Sequence, residues 1–171
     1  MLDFTLKLLL YIAPMYFANS CAMVFGRGKR QVDFGAKFSD GRPVFGPGKT
    51  YRGLLAGVAA GTAASVIIWL AFPNETMLLT SSYLGLGFLL SVGAVTGDLV
   101  KSFFKRRAGI EQGKDLFIVD QLDFVAGGVL FGWVFYAPSA AEMLVIAVLT
   151  IIVHRLSNLI AFKFNLKKVP W

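Results

Sequence analysis

Asp98, Asp120 and Asp123 stand in or at the edges of apolar runs in this chain of 171 residues. An ionisable side chain at the centre of a membrane helix costs at least about 2.5–3.5 kcal/mol, so its presence there asks for a function or a partner. Asp120 and Asp123 are three residues apart and project from one helical face. Asp98 closes the apolar run before them, so all three fall at similar depth near one surface. Three converging carboxylates repel one another unless cations neutralise them. A hard divalent cation with oxygen ligands, Mg²⁺ being the default, would do so. The plain alternative is that each aspartate pairs with Lys101, Lys105 or Arg106.

Basic residues surround these acids in sequence. Arg27, Lys29, Arg30, Lys37, Arg42, Lys49 and Arg52 follow the first apolar run, and Lys101, Lys105, Arg106, Arg107 and Lys114 follow the third. Lysine and arginine beside a divalent ion suit a phosphate-rich ligand, whose oxygens both can neutralise. Anionic lipid headgroups attract the same residues, at about 1 kcal/mol each. Gly46-Pro47-Gly48-Lys49-Thr50 has the look of a phosphate loop, but Pro43 stands where that motif needs glycine, and no strand precedes it. What remains is glycine beside Lys49, Thr50 and Arg52 at a helix start, where backbone N–H groups and the helix dipole favour an anion. Farther on, His154 and Asn158 share one helical face and are candidates to touch the same ligand, while Arg155 has the length to snorkel.

The elements that position these residues are membrane helices. Apolar residues make up 56% of the chain and charged ones only 16%, against about 25% charged in soluble domains. The apolar residues gather into Phe4–Phe25, Tyr51–Phe72, Leu78–Gly97, Leu116–Ala137 and Ala141–Phe162, each near the roughly 20 residues a span needs. This predicts an all-α integral membrane protein of about five transmembrane helices in a single domain over 1–171. The first run lacks a basic leader and a small-residue cleavage site, and reads as a retained helix.

Of 17 basic residues, 15 lie on alternate connections, including Lys163, Lys167 and Lys168 of the tail. The positive-inside rule then sets the N-terminus outside, the C-terminus and loops 26–50 and 98–115 in the cytoplasm, and the acidic cluster at the cytoplasmic face of the cell membrane. A net charge of +7 distributed this way speaks for a membrane surface and against a nucleic-acid partner. Gly53, Gly57, Gly61 and Ser65 recur every four residues, as do Gly93 with Gly97 and Gly128 with Gly132, a spacing that lets membrane helices approach closely. Cys21 is alone, which excludes a disulfide framework and a thiolate metal cluster. Gly26–Thr50 shows no helical period, and a loop of that length in a compact protein usually carries function.

Taken together, Gly97-Asp98, Ser102, Lys105-Arg106, Gly109-Ile110, Lys114-Asp115 and the closing Asp120-x-x-Asp123 resemble the signature of the CTP:phosphatidate cytidylyltransferase family. Gly46-Pro47-Gly48-Lys49-Thr50-Tyr51-Arg52-Gly53 resembles that family's second element, and the two together span roughly 38–130. Bacterial members carry His-Gly-Gly where this chain has Phe117-Ile118-Val119, and Asp-Arg where it has Asp120-Gln121. The short form, with Gly41-Arg42-Pro43 ahead of the lysine element, resembles the archaeal branch.

The resemblance implies CTP-dependent transfer of CMP to an isoprenoid-ether glycerol phosphate, 2,3-bis-O-(geranylgeranyl)-sn-glycerol 1-phosphate, with release of pyrophosphate. It implies Mg²⁺ on Asp98, Asp120 and Asp123, with Lys105 also catalytic. Lys49, Arg52, Lys105 and Arg106 would hold phosphates, with Thr50 and Ser102 as donors. Asp33, Asp40 and Arg42 are candidates for the cytosine and ribose. The first, second and last spans would wall the isoprenoid chains.

Two rivals fit less well. A CDP-alcohol phosphotransferase needs Asp-Gly-x-x-Ala-Arg followed by aspartates four apart, and neither is present. An ion-coupled transporter predicts carboxylates spread across the bilayer and an inverted repeat; here they cluster at one surface.

Overall fold

The computed structural model describes residues 2–26, 28–114 and 116–164. Arg27, Asp115, Lys167 and Lys168, which belong to the basic and signature segments above, lie outside the described residues. The chain is helical: α1 (Leu2–Phe25), α2 (Tyr51–Ala71), the short α3 (Pro73–Thr76), α4 (Tyr83–Arg107), α5 (Val119–Gly132) and α6 (Ala140–Lys163). Among the described residues, α1, α2, α4 and α6 are long and apolar enough to cross a membrane. The remaining expected span, Leu116–Ala137, forms a helix of only 14 residues. Hydropathy continues beyond it, but the backbone turns at Trp133–Phe135.

Close backbone approach organises the bundle. A Cβ added at Gly53, Gly57 or Gly61 would come within 2.8, 2.7 and 2.6 Å of the carbonyl oxygens of Ala22, Ala18 and Pro14. The regular descent of those partners shows α2 running antiparallel along α1, with the glycine stripe as the seam. A second seam joins α4 to α5, where a Cβ at Gly127 would meet Gly97 Cα at 2.8 Å and one at Gly93 would meet Gly128 Cα at 2.9 Å. Without a hydrophobic drive between helices in lipid, such backbone contact supplies the dispersion that holds them.

Pro14 lies inside α1 and has no N–H to offer the carbonyl of Leu10, one turn earlier. The buried Tyr83 hydroxyl donates to that oxygen at 2.6 Å. A freed carbonyl in hydrocarbon must find such a donor, and this bond also ties α4 to α1. Leu86, Leu90, Met15 and Phe124 fill the space between these helices and are fully buried.

At the end of the bundle far from Asp98, Ser139 caps α6 and forms a reciprocal box with Glu142. The Glu142 carboxylate also meets Lys7 Nζ at 2.6 Å and accepts from Tyr136 Oη at 2.7 Å, so α1 and α6 are joined by an ion pair.

Gly26–Thr50 is irregular but anchored. Val32 N donates to Lys49 O at 2.9 Å, Tyr51 N to Arg30 O at 3.1 Å and Phe38 N to Arg42 O at 2.8 Å. The loop folds onto the end of α4. There the Arg107 guanidinium lies 4.7 Å from the Phe38 ring and 4.9 Å from the Phe103 ring, and donates to Pro43 O.

Candidate active site

The α4–α5 seam brings the three aspartates together. Gly97 and Gly127 hold the two backbones in contact immediately beside Asp98 and Asp123. One turn beyond Asp98, Lys101 extends over the seam. Its Nζ lies 3.1 Å from Asp98 Oδ1, 3.3 Å from Asp120 Oδ1 and 2.6 Å from Asp123 Oδ2. Two further lysines each meet one acid of this group. Lys49 Nζ donates to Asp98 Oδ2, and Lys105 Nζ donates to Asp120 at 3.0 and 2.8 Å. Three carboxylates thus face three ammonium groups, and the pairing alternative raised by the sequence describes this state of the site.

Asp120 is fixed before any ligand arrives. Its Oδ2 accepts from the Leu116 amide at 2.6 Å, and Lys105 Nζ reaches past it to the Lys114 carbonyl at 2.6 Å. Asp123 differs. Its side chain is 5% exposed, and Oδ2 contacts Lys101 without an aligned hydrogen bond among the described residues. That oxygen retains acceptor capacity. Three carboxylates converging on one cation position form an all-oxygen set of the kind that fits a hard divalent cation. As placed, however, no group of three or more His, Cys, Asp or Glu side chains among the described residues is positioned to hold a metal ion. The ammonium of Lys101 stands between them.

A polar cavity of about 620 Å³ opens beside the cluster, lined by Lys49, Asp98, Lys101, Ser102, Lys105 and Arg106, among others. A second cavity of about 530 Å³ lies against the α4–α5 seam, walled by Val100, Phe104, Ile110, Leu116, Val119 and Leu130. Lys101 and Lys105 line both. The walls of this cavity come from α4, α5 and the loop between them.

The other predicted residues divide into two groups. Thr50, Ser102 and Asp120 join Lys49, Lys105 and Arg106 along the polar cavity, as do His154 and Asn158, which contact each other at 3.2 Å. Ser102 Oγ donates to the Asp98 carbonyl at 2.9 Å. Thr50 Oγ1 donates to Gly26 O and accepts from Gly53 N, so it caps α2 and engages one amide that an anion could have used.

Asp33, Asp40, Arg42 and Arg52 do not line either cavity. Asp33 accepts from the amides of Gly35, Phe45 and Gly46 at 3.0, 2.8 and 3.1 Å. Burial works to raise its pKa, but these three donors outweigh it and hold the carboxyl below its ordinary value. Asp40 meets Arg107 Nε at 3.2 Å, and Arg42 donates to the Arg107 carbonyl at 2.6 Å. Asp33 braces the loop internally, while Asp40 and Arg42 brace it against α4.

Two polar, uncharged side chains of the cavity did not stand out in the sequence, Asn19 and Gln112. Neither sits in a charged pattern. Lys101 was named only as a partner for one acid, although its spacing from Asp98 already placed it one turn away on the same face.

A helical bundle with four helices long and apolar enough to cross a membrane among the described residues, and a charged cluster bordering both a polar and an apolar cavity, has the architecture of a multi-pass membrane protein. The family model for CDP-archaeol synthase (CarS-like) matches residues 1–171. The CDP-archaeol synthase of Methanocaldococcus jannaschii is 45% identical over 168 residues, covering 94% of each chain. That of Pyrococcus abyssi is 40% identical over 161 residues, covering 94% of this chain and 95% of its own. A solved structure of an intramembrane enzyme for archaeal membrane lipids biosynthesis superposes with a TM-score of 0.79 at 36% identity, covering 88% of this chain and 91% of that one. The chain belongs to the CDP-archaeol synthase family.

Proposed function

We propose that this chain transfers CMP from CTP to 2,3-bis-O-(geranylgeranyl)-sn-glycerol 1-phosphate, forming CDP-archaeol and pyrophosphate. The observation that carries this reading is the pair of cavities sharing Lys101 and Lys105, one polar and basic, the other apolar. A polar cavity of about 620 Å³ falls within the roughly 300–1,000 Å³ of small-molecule sites and suits a nucleoside triphosphate. The apolar cavity suits the first segments of an isoprenoid chain whose phosphate reaches the shared lysines.

An oxygen of the lipid phosphate attacks the α-phosphorus of CTP. A new P–O bond forms, the bond from the α-phosphorus to its bridging oxygen breaks, and pyrophosphate leaves with the electron pair. The nucleophile is already an anion, so no protein base or covalent intermediate is required. The protein aligns two polyanions and offsets the repulsion between them. Lys49, Lys105 and Arg106 neutralise phosphate oxygens, and Ser102 supplies a donor beside them. Asp98, Asp120 and Asp123 are the residues that would hold Mg²⁺, which when bound supplies Lewis-acid neutralisation of phosphate charge. The site faces the cytoplasm of the cell membrane, a reading supported by the 15 of 17 basic residues on one set of connections.

Pyrophosphate release from purified protein given CTP, Mg²⁺ and the di-isoprenoid glycerol phosphate tests the proposal. Release should require the lipid and fall by about 10²-fold or more in Asp120→Asn. A diacyl glycerol phosphate run alongside ranks the lipid classes. Folded protein that releases no pyrophosphate with the isoprenoid lipid would overturn the reading.

A further inference from the structure

We propose that Lys101 is a tethered cation standing where the divalent ion loads, holding the three carboxylates together beforehand and withdrawing when the ion arrives. The proposal rests on the cytidylyltransferase reading and concerns how that site is kept assembled between turnovers.

The geometry separates Lys101 from its neighbours. Lys49 contacts only Asp98 of the three acids, and Lys105 only Asp120. Lys101 contacts all three at 2.6–3.3 Å, and it is the cation against Asp123. A single nitrogen surrounded by carboxylate oxygens from two helices occupies the place a shared ion would take. Magnesium binds oxygen at about 2.0–2.1 Å and cannot share that position with an ammonium group. The two are therefore mutually exclusive there.

Charge leads to the same conclusion. Asp98, Asp120 and Asp123 are balanced one for one by Lys49, Lys101 and Lys105. A divalent ion added to that balanced set leaves an excess of positive charge until phosphates arrive. The least costly response is for the central ammonium to leave, and a lysine has a flexible four-carbon stem for doing so. Both cavities border Lys101, so its head has space to move. Turned into the polar cavity it would face the phosphates of the nucleotide, which links ion loading to substrate contact. Lys101 is thus a positioning residue toward the ion.

Mn²⁺ binding to nucleotide-free protein in detergent, followed by electron paramagnetic resonance, tests this without relying on turnover. Lys101→Met and Lys101→Gln should bind Mn²⁺ about tenfold more tightly than the wild type. Their melting temperature should be lower without metal and rise further on adding it. Lys105→Met removes the same charge but leaves Lys101 at the position between the three acids, so it should tighten binding less than either Lys101 variant. Mn²⁺ affinity unchanged or weakened in both Lys101 variants overturns the proposal. Mn²⁺ binding by none of these proteins, the Lys101 variants included, also overturns it. If the wild type releases pyrophosphate only with lipid and its Mn²⁺ binding is lost in Asp120→Asn, while the Lys101 variants show no tightening, only the inference fails. Absence of both metal binding and release in the wild type would remove the cytidylyltransferase reading as well.

Discussion

Ile118 precedes α5 with φ at 73° and ψ at −54°, the centre of a strained γ-turn closed by Val119 N donating to Phe117 O at 3.0 Å, a conformation that a β-branched residue rarely adopts. It lies two residues before Asp120, and its conformation lets the Leu116 amide turn back to the Asp120 carboxylate. Ile118→Gly should raise stability by about 1 kcal/mol in a thermal unfolding assay, because backbone strain of order 1–3 kcal/mol is relieved and part is returned as backbone entropy. Asp33 offers a second test. Its depressed pKa means that its contribution to stability is complete above the unfolded-state value near 3.8 and is lost as pH falls through the lower folded-state value. Asp33→Asn should remove that part of the acid-side dependence when unfolding is followed against pH. The facing of Asp120 and Asp123 was legible from spacing alone, since a helix puts residues three apart together. The role of Asp33 was not, because the donors it serves are loop amides brought to it by tertiary structure.

Helix seams decide whether the acids meet. Gly97 and Gly127 touch across the α4–α5 contact one residue and four residues from Asp98 and Asp123 respectively. Gly127→Leu should force those backbones apart, destabilise the protein by about 1–3 kcal/mol and abolish Asp120-dependent pyrophosphate release. Circular dichroism melts together with the release assay check both effects. The same substitution at Gly41, whose added Cβ would meet nothing within 4 Å and which lines neither cavity, serves as a control for packing, though not for its left-handed φ of 76°. The glycine spacing made both seams readable before any coordinates. Which helix lay across each seam was not readable, since small-residue repeats specify closeness and not partner. For that reason Lys101 looked like one of several lysines near Asp98, and its contact with Asp123 depends on the antiparallel seating of α5 beside α4.

At the scale of the whole molecule, hydropathy correctly announced a membrane protein but overstated the length of one crossing. Leu116–Ala137 is apolar nearly throughout, yet its helix covers only Val119–Gly132. At 1.5 Å per residue that rod is about 21 Å long, against a hydrocarbon core near 30 Å. Its beginning carries Asp120 and Asp123, so the charged cluster sits at the shallow end of a short pillar. A bilayer meeting such a pillar thins or dimples around it, at a cost that grows with every ångström of mismatch. The acyl surface would then dip toward the lysines, and a lipid phosphate could meet CTP while its own headgroup plane bends inward to the site. Reconstitution into vesicles of increasing chain length should slow lipid-dependent turnover while leaving CTP binding nearly constant. The thickness of the surrounding membrane thereby becomes a parameter of the reaction, set by how far one helix falls short of the other side.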